Sequence, residues 1–204
     1  MAKDYLELVE KNRLKTGDIL LFSNTSNSLF TNCIKCCTRS KYTHAAMVIK
    51  NPSWNKNLKG YYALQSCYDN QRDVEDNEKK FGVELVKLST LITSYTGRIY
   101  WRHIDTNRNS DFFKKLEQAH SIVHNRPYDI NIFDWIKAAF NLNIGNNKQL
   151  KRFWCSALVS YMLVQLELLD KNTNWSLISP MELGCKYDKL KFCKCEIYDE
   201  IRIK

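Results

Sequence analysis

The stretch KRFWCSALVSYMLVQL, residues 151–166, decides how the rest of the chain is read. An aromatic pair, Phe153 and Trp154, gives way to a helical pattern in which Leu158, Tyr161, Met162, Gln165, Leu168 and Leu169 trace a mainly apolar face. Cys155 falls in the first turn of that predicted helix. A thiol is a poor nucleophile until it loses its proton, and the unsatisfied N–H groups and dipole at a helix start favour negative charge. Cysteine is also one of the most buried residue types, so a purely structural Cys155 is the competing reading.

A nucleophilic thiol needs a base, and the four histidines are the candidates. His103, in YWRH, flanks charged residues and reads as solvent-facing; His120 and His124 lie one turn apart on a predicted helix, as surface or packing residues. His44 opens an apolar strand, HAAMVI, where its ring can project from the sheet end toward a helix tip. Its second nitrogen then needs an acceptor to fix the tautomer, and Gln65 in the next strand, YYALQS, is the natural one.

The surrounding pattern is that of one α+β domain over residues 1–204, with a mainly antiparallel sheet. A short first helix spans 4–13, the turn Gly17-Asp18 feeds a buried strand at 19–22, and Phe30, Cys33, Ile34 and Cys37 have helical spacing. VELVKL and GRIYWRHI read as further strands. SDFFKKLEQAHSIVHN reads as a helix with a Ser-Asp cap and a stripe of Phe112, Leu116, Ala119 and Val123. YDINIFDWIKAAF is a second helix capped by Asp129, SPMELG a capped turn, and KFCKCEIYDEIRIK a final edge strand.

Composition narrows the function. Hydrophobic residues make up 44% of the 204 and charged ones 26%, a globular mixture. With no signal-peptide or transmembrane run, the expected place is the cytoplasm, or a virion packaged from it. The eight cysteines are there expected as thiols. The net charge of +9 favours anionic surfaces, a membrane among them, but the lysines are dispersed, which favours a solvated surface over a nucleic-acid face. CIKC at 33–36 and CKC at 193–195 invite zinc, yet two C-x-x-C pairs are lacking, so no metal and no cofactor is assigned.

In the order TGDILLF, YTHAAMVIK, YYALQS, FGVELVKL, RPYDINIFDW, FWCSALVSYML and SPMEL, the chain resembles the circularly permuted NlpC-like, papain-fold hydrolases, the YiiX-like group with members in large DNA viruses. The histidine strand precedes the cysteine helix in that group, as it does here and in the lecithin:retinol acyltransferase relatives. The resemblance implies a permuted papain-like fold, with Cys155 as nucleophile, His44 as general base and Gln65 as the orienting residue. It places Tyr128 near the substrate, and the aromatic neighbour Trp154 suggests a partly apolar acyl or peptide group there. Two positions depart from the group, where glutamate is common: Gln65 and Ala157. The expected activity is hydrolysis of an amide or peptide bond through a Cys155 acyl-enzyme. A lipid acyl hydrolase or acyltransferase, and a non-catalytic binder of a membrane surface or nucleic acid on the same fold, are the alternatives.

Overall fold

Unbroken apolar runs such as ILLF and AAMVI need cover on both faces of a sheet, because successive strand side chains point to opposite sides. The computed structural model of the protein describes residues 3–23, 41–67, 71–128, 153–186 and 189–204. Its elements in chain order are α1 (Lys3–Glu10), β1 (Ile19–Ser23), β2 (His44–Lys50), β3 (Tyr61–Cys67), β4 (Gly82–Lys87), α2 (Leu88–Ser94), β5 (Arg98–Arg102) and β6 (Ile104–Asp105). They continue with α3 (Ser110–Val123), α4 (Cys155–Gln165), a 3-10 turn at Trp175–Leu177, β7 (Glu196–Ile197) and β8 (Ile201–Arg202).

Six strands form one sheet in the order β4-β3-β2-β1-β5-β8, each neighbouring pair antiparallel. β6 and β7 form a small second sheet. The alternation is clean. Ile19, Leu21, Ala45, Met47, Ile49 and Leu64 pack with Phe112 and Leu116 of α3 and Leu158 and Met162 of α4. Leu20, Phe22, Ala46, Val48 and Ala63 pack with Tyr5 and Leu8 of α1 and Leu91 and Ile92 of α2. Helices cover both faces, which is why the strands read as continuous apolar runs, and the class is α+β as expected.

Several local expectations are corrected. The cap of α3 is Asn109, one residue before the expected Ser-Asp pair; its side chain accepts from the Phe112 N–H at 3.0 Å. Every residue of α4 from Cys155 to Leu163 is buried, so it is a central helix rather than one with a single apolar face. It ends before Leu168 and Leu169: Glu167 takes a positive φ of 59°, and the Leu168 N–H bonds back to the Leu163 carbonyl at 2.8 Å, a Schellman closure. The C-terminal alternation is divided between two sheets as β7 and β8. α2 was not foreseen, since LSTLITS carries β-branched residues that lower helix propensity. The predicted helices holding Cys33 and Cys37, and beginning at Asp129, lie outside the described residues. No helix among the described residues is long and apolar enough to cross a membrane.

Candidate active site

β2 and β3 part at one end. Their ladder runs from Lys50↔Tyr61 to Met47↔Leu64. Beyond it β2 continues to His44 along β1, while β3 continues to Cys67 along β4. The mouth of α4 meets the sheet at this opening. The Ser66 hydroxyl donates to the Phe153 carbonyl at 2.7 Å, and the Ser156 hydroxyl to the Ile178 carbonyl at 2.7 Å. Residues on both sides of Cys155 are therefore tied down by buried bonds. Trp154 is the N-cap residue and is buried in the core; an indole has no acceptor, so its side chain takes none of the first-turn amides. The Ser156 N–H instead points to the Cys155 sulfur, as does the Ala45 N–H of β2.

The imidazole of His44 completes the arrangement. Its Nε2 lies 2.8 Å from Gln65 Oε1, and the ring also hydrogen-bonds the Cys155 sulfur, which leaves Nδ1 to face that sulfur. Burial alone would raise the Cys155 thiol. The charge and hydrogen bond of His44, with the two backbone N–H groups, outweigh burial and hold it below the ordinary thiol range. Other cysteines go the opposite way: burial, with Cys193 beside it, pushes Cys195 up to about 11, and burial with Glu200 raises Cys185. Cys155, His44 and Gln65 thus meet, as the sequence order predicted.

Behind them stands a residue that sequence reading missed. Gln65 is 1% exposed and donates through Nε2 to Glu84 Oε1 at 2.9 Å; the Cys67 thiol reaches the same oxygen at 3.3 Å. Glu84 is itself 1% exposed and sits opposite Gln65 in the β3–β4 register. The available signal was a single acid inside an apolar strand, VELV.

Tyr128 is brought close to the mouth of α4 by backbone pairing. It bridges to Phe153, its N–H donates to the Phe81 carbonyl at 3.0 Å, and its ring stacks on Phe81 at 5.1 Å. This approach depends on Gly82, where a Cβ would fall 2.3 Å from the Arg126 carbonyl oxygen. Phe81 is 51% exposed, and Tyr128 pairs with Phe153, two residues before Cys155.

The other histidines take other partners. His103 is partly exposed, as expected in part, but is also anchored: its Nδ1 lies 3.0 Å from buried Asp18, which also takes bonds from Trp101 Nε1, the Ile104 N–H and Arg108. His120 stacks on Trp54 and bonds Glu75 at 3.0 Å. Among the described residues, Asp73, Glu75 and His124 are the group whose ligand atoms gather, within 4.8 Å of one another. No cysteine belongs to it; Cys33, Cys36 and Cys37 lie outside the described residues.

The chain matches no protein-family profile and no curated protein. It is similar in fold to the crystal structure of metalloprotein yiiX from Escherichia coli O157:H7, a DUF1105 protein, with a TM-score of 0.52 and 16% identity. The likeness covers 94% of this chain and 97% of that one.

Proposed function

We propose that this chain is a cysteine-dependent hydrolase of amide or peptide bonds, built as a circularly permuted papain-like enzyme. The observation that carries this reading is the convergence of a buried sulfur, an oriented imidazole and two backbone N–H groups at the start of α4. His44 Nδ1 takes the proton of Cys155, and the thiolate attacks the acyl carbon. The Cys155 N–H, in the first turn of α4, donates to the oxygen that becomes negative. The imidazolium returns its proton to the leaving amine as the carbon–nitrogen bond breaks. Water, deprotonated by the same ring, then hydrolyses the thioester and releases a carboxylic acid. Cys155→Ala should abolish covalent labelling by an acyl-directed thiol probe; undiminished labelling of that variant would overturn the reading.

The stack of exposed Phe81 on half-buried Tyr128 favours one second reading, a lipid ester as the acyl donor. Parallel turnover of acyl-amide and acyl-ester probes chooses between them, with the Cys155→Ala protein as blank.

The Escherichia coli neighbour is described as a metalloprotein. The gathered Asp73, Glu75 and His124 of this chain do not fit a metal well, because their oxygens are already engaged. The Lys80 ammonium lies 2.5 Å from Asp73, while Trp54 and His120 bond the two oxygens of Glu75.

A further inference from the structure

A histidine can serve as base to a thiol only if the nitrogen facing the sulfur carries no proton in the neutral ring. In this chain Nδ1 faces the sulfur, so Nε2 must hold the hydrogen and must donate it. Its partner is a glutamine, and a glutamine is ambiguous. Turned by 180° about its last bond, the amide would offer N–H groups to Nε2, force the proton onto Nδ1 and disable the base. Something must forbid that turn.

We propose that Glu84 is a positioning residue that fixes the tautomer of His44 by locking the amide of Gln65. In its ionised form the Glu84 carboxylate accepts and does not donate, so only the amide nitrogen of Gln65 can then face Glu84 Oε1 at 2.9 Å. The amide oxygen is thereby aimed at His44 Nε2, 2.8 Å away. Both Gln65 and Glu84 are 1% exposed, so bulk water is not at hand to satisfy the turned amide. The antiparallel register places the two residues directly opposite, which sets the relay by backbone geometry. Cys67, donating to the same oxygen, adds a second polar hold on the carboxylate. The carboxylate that stabilises an imidazolium in many thiol hydrolases is thus present here one residue further from the ring. This inference rests on the thiol–imidazole reading of the site.

The test uses the full chain and measures Cys155 alkylation by iodoacetamide against pH, with His44 ring ¹⁵N shifts read on the same proteins. In the unaltered chain Cys155 should alkylate well below the free-thiol range of ~8.5. Glu84→Gln should move its titration up by about one unit, a roughly tenfold fall in rate at pH below the transition. It should also shift the ring signals toward the Nδ1–H form. The exchanged pair Glu84→Gln with Gln65→Glu, which puts the carboxylate beside the ring, should restore both. A merely structural Glu84 would lower the melting temperature of Glu84→Gln and leave titration and ring signals where they were, and that result overturns the proposal. If Glu84→Gln does not fold, the exchanged pair decides alone: loss of the low titration there overturns it. An ordinary thiol titration in the unaltered chain would instead defeat the hydrolase reading itself.

Discussion

The hydroxyl of Ser66 on β3 donates to the carbonyl of Phe153, 2.7 Å away and 87 residues later in the chain, inside the core. This bond seats the mouth of α4 on the sheet two residues before Cys155. Ser66→Ala leaves that carbonyl without its partner in a buried place. The expected cost is about 1–3 kcal/mol in denaturant unfolding. Cys155 alkylation at neutral pH should also slow, since sulfur and imidazole are then less well held.

Gly82 makes a steric prediction. Gly82→Ala must push the Arg126–Tyr128 backbone away from β4, because no side chain, only a carbonyl, stands at 2.3 Å. Two pairings should loosen together, the Val83 N–H to the Arg126 carbonyl and the Tyr128 N–H to the Phe81 carbonyl. Faster amide exchange at Val83 and Tyr128, with a KM effect larger than the kcat effect, is the expected result.

Asp18 is buried and gathers donors from β5, β6 and the segment after it. Asp18→Ala strips the Trp101 indole and the Ile104 N–H of their acceptor, both in buried settings. Two such donors, each costing roughly 1–3 kcal/mol, should lower stability by at least about 2 kcal/mol. The chevron or equilibrium melt of that variant checks it. Alkylation of Cys155 in the folded fraction should be unchanged, because the hub belongs to the β5 side of the sheet.

Acid stability follows from Glu200. Burial alone would raise its carboxyl, but hydrogen bonds from Cys185 and from the Tyr42 hydroxyl hold it down to about 2. A depressed carboxyl contributes stability above its unfolded value, and that contribution fades as pH falls from the ordinary glutamate range toward about 2. Glu200→Gln should flatten this part of the stability–pH curve and leave the neutral arm parallel to that of the unaltered chain. Urea midpoints between pH 5 and 2 give the measurement.

Much of the site was legible because strand and helix patterns fix where their first residues go. His44 opens β2, Gln65 lies toward the end of β3 and Cys155 opens α4; periodicity placed each at the end of its element, while the resemblance to a known family, not periodicity, implied that they meet. Glu84 was not legible, since only the register Gln65↔Glu84 distinguishes it from other acids. The anchor of His103 was missed for a related reason: its charged chain neighbours suggested exposure, which it partly has, whereas its partner, Asp18, lies 85 residues earlier. The double cover of the sheet was legible in the unbroken runs ILLF and AAMVI, but α2 on one of its faces was not, because LSTLITS is rich in β-branched residues. The end of α4 escaped because Glu167 takes a left-handed turn usually given to glycine.

The parting of β2 from β3 has a consequence of its own. The Ala45 amide, which an unbroken ladder would commit to a neighbouring strand, is held by the Cys155 sulfur instead. Every change at that atom, whether acylation, oxidation or loss of charge, is therefore transmitted to the backbone of the central sheet. The ¹⁵N resonance of Ala45 thus becomes a built-in gauge of the state of that sulfur.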